Sequence, residues 1–213
     1  VRQTLLLDFP GEPEFLQAVS ADLEAEVWVS YNGKAFDARL LESRFLMNGM
    51  QPQAPEQLDL LYWSRRLWRR SIGSCSLADI EREVLDRERH GDIPGVEIPE
   101  RYFEFLRTSS AVGMSDVFEH HRLDIVSLVH LYFRLEEVLE APLADRTVDR
   151  YQLGRWLLAK DEPTAVALLE EAAGEGRADD SIRAALLLSR FFRRRRAVSE
   201  ALRVLDLVAT DEL

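Results

Sequence analysis

The sequence predicts an α/β domain followed by an all-helical region, and three observations carry that prediction. First, the apolar, β-branched and aromatic run Val27-Trp28-Val29-Ser30-Tyr31 is broken by Asn32-Gly33. Phe36, Leu40, Leu41, Phe45 and Leu46 then recur at helical spacing, so the stretch reads as buried strand, tight turn and helix. Second, strand signals stop after Pro142, and four helical stretches follow one another. Third, two of these stretches resemble two others: Leu153-Gly154-Arg155-Trp156 aligns with Leu188-Ser189-Arg190-Phe191 at an offset of 35, and Ala165-Val166 with Ala201-Leu202 at 36. A recurrence at this period marks helix-hairpin repeats.

Composition bounds the function. The chain has 213 residues, enough for one substantial domain and a smaller unit, and at 46% hydrophobic and 31% charged it is expected to pack a core. A net charge of −11 argues against a uniformly basic grip on nucleic acid. It leaves a nuclease open, because metal-binding carboxylates are themselves acidic. The single cysteine, Cys75, excludes an internal disulfide framework and suits a reducing, cytoplasmic setting. No apolar run approaches the roughly 18–20 residues of a membrane span, and no signal peptide is visible. The chain opens at Val1, directly in a strand-like run, which points to a natural start further upstream.

In chain order, Val1–Leu7 reads as a short strand, Asp8–Pro13 as a turn-rich break, and Glu14–Glu24 as a helix with Phe15, Leu16, Val19 and Leu23 on one face. The strand at 27–31 and a helix over about 35–47 follow. This places Asp37 in a first helical turn at the carboxyl end of a strand, where α/β sheets hold ligands and where the macrodipole favours a carboxylate. Phe36 is expected to point inward and fix the backbone that aims Asp37. Taken alone, an Asp at such a place is more often a capping residue than a ligand. Leu58–Tyr62 is a candidate third strand. Trp63–Arg70 interleaves Arg65, Arg66, Arg69 and Arg70 with Trp63 and Trp68. Such a segment can contact a nucleic-acid strand through phosphate pairing and stacking, or it can be an amphipathic helix with its tryptophans inside. Ser76, with Asp79 at the box position, caps a further helix. Gly91–Pro99 is an irregular loop, and Arg101–Arg107 a short helix.

A long helix is predicted from an N-cap at Ser115, with an inward stripe of Val117, His121, Asp124, Leu128, Leu131, Leu135 and Val138. A carboxylate on such a stripe is costly unless it is paired or bound to metal. The stripe sets His121 in register with Asp124. After Pro142, helices are predicted over 149–160, 163–173, 180–194 and 198–208, with the run Arg193–Arg196 at a hairpin tip.

Four motifs fall in order: Tyr31-Asn32-Gly33-Lys34-Ala35-Phe36-Asp37, Leu58-Asp59-Leu60-Leu61, Asp92-Ile93-Pro94-Gly95 with Ile98-Pro99, and Glu119-His120-His121-Arg122-Leu123-Asp124. Together they resemble the YprB-type ribonuclease H-like domain, a branch of the DEDD 3′–5′ exonuclease superfamily. The resemblance covers about residues 1–140, and the helical tail, here residues 145–213, resembles the tetratricopeptide-like region typical of that family. It implies a ribonuclease H-like fold in which four carboxylates hold two divalent metals, Mg²⁺ or Mn²⁺, roughly 4 Å apart for in-line phosphodiester hydrolysis. Carried over by position, Asp37 and Asp124 are implied metal ligands. Asn32 is implied to contact substrate or orient its loop, and Lys34, Arg65 and Arg69 are taken as further substrate contacts. The implied general base lies four residues before Asp124, at His120, with His121 as the second choice. Asp59 reads as structural.

The family's first motif, a strand bearing Asp-x-Glu, supplies the other two carboxylates, and this sequence does not contain it. Asp8 and Glu12 are wrongly spaced and lie in a Pro-Gly turn. The domain is therefore expected to have an N-terminally incomplete sheet and half of a two-metal site. Two functions follow: a metal-dependent exonuclease-type domain in DNA repair or nucleic-acid processing, inactive as the isolated chain, or a catalytically dead nucleic-acid-binding adaptor whose helical repeats recruit a partner such as a helicase.

Overall fold

The computed structural model describes residues 1–175 and 178–208. Its elements run α1 (Glu12–Asp22), β1 (Val27–Ser30), α2 (Asp37–Met47), β2 (Glu56–Asp59), α3 (Leu60–Leu67), α4 (Arg69–Ile72), α5 (Leu77–Glu83), a 3₁₀ turn (Gly95–Glu97), α6 (Ile98–Thr108) and α7 (Met114–Glu140). Four more helices follow: α8 (Arg150–Leu157), α9 (Glu162–Glu175), α10 (Ala178–Arg194) and α11 (Val198–Asp206). The chain divides into two compact units, one of Val1–Tyr62 with Ser76–Arg134, the other of Trp63–Cys75 with Leu135–Leu213. No helix among the described residues is long and apolar enough to cross a membrane.

In the first unit β1 and β2 pair in parallel, in a register running from Val27 opposite Glu56 to Ser30 opposite Asp59. Parallel neighbours need a crossover, and α2 supplies it. Leu16, Phe45, Leu60, Ile80, Met114 and Leu131 form buried parts of this unit. Glu12 is buried with them because Arg44 of α2 grips it, Nε donating to Oε1 at 2.5 Å, while Asn48 donates to Oε2 at 3.2 Å. Asp8 accepts from the Gly11 amide at 2.7 Å and closes the turn before α1. Both acids are thus engaged by neighbouring groups.

Several expectations need correction. Val1–Leu7 is not a strand; among the described residues only 27–30 and 56–59 pair as strands. A strand needs a partner's backbone, and the segment 1–7 finds none. The third predicted strand starts and ends two and three residues early, because α3 begins at Leu60. The strand at 27–31 is not buried: Val27 and Val29 are 44% and 43% exposed. Phe36 does not point inward either; it is 66% exposed. The long helix starts at Met114, so Ser115 lies inside the first turn rather than capping it. Ser76 does cap α5, accepting from the Asp79 amide at 3.2 Å.

In the second unit α8 packs on α9, α9 on α10 and α10 on α11. All four helices fall where the sequence placed them, within a few residues. Asp149 caps α8, accepting from the Gln152 amide at 2.9 Å. Some repeated positions match in burial, Leu153 with Leu188 and Ala165 with Ala201, but Val166 is half-buried where Leu202 is exposed. Gly154 lets α8 approach α9 closely, since a Cβ there would stand 2.8 Å from Leu169 Cγ and 3.1 Å from the Ala165 carbonyl oxygen. Trp63 packs edge-on against Trp156 at 4.8 Å between centroids, and Trp68 is buried.

Candidate active site

The turn after β1 is built by backbone rules. Asn32 adopts the left-handed region (φ 67°), which asparagine tolerates better than most residues. Its amide donates to Asp59 Oδ1 at 2.9 Å, and the Leu61 amide donates to the same oxygen at 3.1 Å. Asp59 thereby ties the end of β2 to the turn after β1, a structural role. Gly33 is buried where no side chain fits: a Cβ would meet Ser30 Cβ at 2.6 Å and Asp37 Oδ2 at 3.3 Å. The Gly33 carbonyl accepts from the Ala38 amide at 2.9 Å and starts α2, so Asp37 stands at its first position.

Asp37 faces a cavity of about 870 Å³ whose walls also carry Glu81 of α5, Arg89 and Asp92 of the following loop, and His120, His121 and Asp124 of α7. Its carboxyl is pushed above the usual aspartate range, first by partial burial and then by the charge of Asp59, against its own backbone amide.

Arg89 holds the opposite wall together. Its Nε and Nη2 form a fork on Glu81 at 2.7 and 2.5 Å, its Nη1 donates to Asp92 Oδ2 at 2.9 Å, and its Nη2 donates to Asp124 Oδ1 at 2.7 Å. Glu81 is 3% exposed and also accepts from the Ser127 hydroxyl. Desolvation works against the Arg89 charge, but the three carboxylates outweigh it and raise its pKa. Burial raises Asp92 too, yet the bonds from Arg89 and His120 prevail and hold its carboxyl below the usual range. Asp92 is therefore an acceptor, and His120 Nδ1, 2.8 Å away, carries the proton. That leaves His120 Nε2 facing Asp124 Oδ2 at 3.6 Å, one helical turn along α7.

Four of the sequence-predicted residues, Asp37, His120, His121 and Asp124, thus line one cavity, although they come from segments more than eighty positions apart. His120 is the histidine beside Asp124, while His121 is exposed. Asn32 and Lys34 are exposed and do not line the cavity. Arg65 and Arg69 are exposed in the second unit, and Trp63 and Trp68 of the same segment are packed into that unit instead of being presented for stacking. Glu81 and Arg89 were missed by sequence reasoning, and Asp92 was read only as part of a motif. A signal for Glu81 exists: it lies one turn after Leu77 and beside Ile80 on the inward face of α5.

The chain's residues do not by themselves fit a two-metal centre. Asp37 and Asp124 are hard oxygen donors suited to Mg²⁺ or Mn²⁺, but a two-metal pair needs more carboxylates than two. Among the described residues no group of three or more His, Cys, Asp or Glu side chains is placed to hold a metal ion. Asp124 is moreover already paired with Arg89, a cation it shares with Glu81 and Asp92.

A family model described as the RNase H superfamily matches residues 3–136. The uncharacterized protein YprB of Bacillus subtilis (strain 168) is 30% identical over 207 residues, covering 94% of this chain and 50% of that protein. The chain thus spans about half the length of this relative. No solved structure matches the chain. The family match extends over more than half of the sequence and takes in the strand–turn–helix, the Arg89 loop and the histidine-bearing helix, so the chain belongs to the RNase H superfamily.

Proposed function

We propose that residues 1–140 form a metal-dependent 3′–5′ exonuclease-type domain that acts on nucleic-acid phosphodiesters, in DNA repair or another nucleic-acid process. The single observation that supports this most is the cavity that gathers Asp37, His120 and Asp124 from separate segments. In this reading Asp37 and Asp124 are half of the ligand set for Mg²⁺ or Mn²⁺. An Asp-x-Glu strand outside this sequence contributes the other half. His120 is the general base, with His121 beside it. Asn32 orients the turn, and Lys34, Arg65 and Arg69 supply positive charge toward the strand. Residues 145–213 are tetratricopeptide-like hairpins. The test is degradation of a 3′-labelled single strand by the full-length protein with Mg²⁺ or Mn²⁺. The 213-residue chain alone is expected to bind metal very weakly and to cleave little or nothing; robust cleavage by it would sink this division of the site.

One observation favours a second reading. Arg89 already donates to Asp124, so one of the two implied metal ligands has a cationic partner without metal. On that basis the chain is a catalytically inactive nucleic-acid-binding adaptor whose helical unit recruits a partner such as a helicase. Strand binding without degradation, by full-length protein and with either metal, would select it.

A further inference from the structure

Arg89 is placed for more than a buried ion pair. A bridge that only stabilised the fold would end at Glu81, where the guanidinium already makes a two-point fork and Glu81 gains a third bond from Ser127. Instead the remaining donor edge reaches Asp92 and Asp124, two acids that line the cavity. Three elements meet at this one side chain: α5 through Glu81, the loop through Asp92, and α7 through Asp124. Only arginine offers donors in a planar fork that can serve three acceptors at once; a lysine ammonium is a point charge on a flexible stem. One bond further out, Asp92 takes the proton-bearing Nδ1 of His120, as carboxylates do when they orient functional imidazoles. Asp124 Oδ1 is engaged by Arg89, so its Oδ2 and His120 Nε2 are left facing one another.

We propose that Arg89, anchored by Glu81, is the positioning residue of this site: it holds Asp124 directly and, through Asp92, fixes the His120 imidazole with Nε2 toward the cavity. The proposal rests on the nuclease reading for its catalytic meaning, and its structural half stands apart from that reading.

Arg89→Gln alone leaves Glu81 buried without its counter-charge and risks unfolding. The informative variant is the pair Glu81→Gln with Arg89→Gln, which replaces both charges by neutral hydrogen-bonding amides of similar size. The first readout is long-range ¹H–¹⁵N correlation of ¹⁵N-histidine-labelled protein, which distinguishes the two imidazole tautomers and needs neither metal nor turnover. Wild-type His120 is expected to be the single Nδ1-protonated tautomer. The double variant, still melting cooperatively, is expected to show mixed tautomers for His120. The second readout is kcat on a 3′-labelled single strand in the full-length protein, expected to fall about 10–100-fold with little change in KM. A folded double variant whose His120 keeps the wild-type tautomer overturns the proposal. Wild-type protein that fixes the tautomer but never degrades a strand supports the positioning role and defeats the nuclease reading instead.

Discussion

Gly33 occupies a point where a single methyl has no room. The added Cβ would lie 2.6 Å from Ser30 Cβ, and the neighbours are the turn that aims Asp37. Gly33→Ala is expected to cost about 1–3 kcal/mol, the usual scale of overpacking, read as a lowered midpoint in a urea melt. An unchanged midpoint would mean that the turn relaxes freely. Glu12 gives a pH prediction at the same scale. The hydrogen bond from Arg44 holds its carboxyl below the ordinary glutamate range, against a smaller effect of burial. A depressed acid stabilises the fold above its unfolded pKa and loses that contribution as pH falls through its folded one. Stability should therefore decline below about pH 4.5, the unperturbed value. Glu12→Gln should flatten the acid limb of a stability–pH curve; an unaltered limb would assign that slope to other groups. A third residue, Glu81, is 3% exposed; its loss removes the two-point fork on Arg89 and the acceptor of the Ser127 hydroxyl, while Asp92 and Asp124 still hold the guanidinium, so Glu81→Ala should cost about 1–3 kcal/mol. The apolar stripe sets His121 in register with Asp124, while the four-residue spacing of the resemblance favours His120. The structure puts His120 beside Asp124, because Asp92 in a distant loop draws that ring toward itself.

At the scale of elements, what was legible was what is local. The Asn32-Gly33 turn, a helix with Asp37 in its first turn, the Ser76 cap and the four C-terminal helices depend on neighbours within a few positions, and all appear within a few residues of where the sequence put them. What was not legible depends on distant partners. Val1–Leu7 has strand-like residues, but no strand among the described residues pairs with it. Val27, Val29 and Phe36 have the chemistry of buried residues and are exposed all the same, because burial is decided by what other elements cover. The Glu81–Arg89–Asp124 network joins three segments through charge, a pattern that periodicity cannot reveal. In the second unit, Gly154→Ala should loosen the α8–α9 contact, since the new Cβ meets Leu169, Leu168 and a backbone oxygen at 2.8–3.2 Å. The expected cost is about 1–3 kcal/mol, visible as faster amide exchange in α8 and α9. Exchange at the wild-type rate would show that Leu169 repacks without cost.

For the whole molecule, a net charge of −11 and a cavity lined by carboxylates frame the same question. Membership of the RNase H superfamily gives these acids a chemical context, and in the proposed reading Asp37 and Asp124 are two of the carboxylates that a two-metal site would use. The central claim is that they belong to one hydrolytic site. The most direct measurement compares the full-length protein with its Asp124→Ala variant on a 3′-labelled single strand in Mg²⁺ or Mn²⁺. The claim predicts shortening from the 3′ end by the wild type, and a loss of about a hundredfold or more in a variant that melts cooperatively. A full-length Asp124→Ala protein that degrades the strand at the wild-type rate would contradict it.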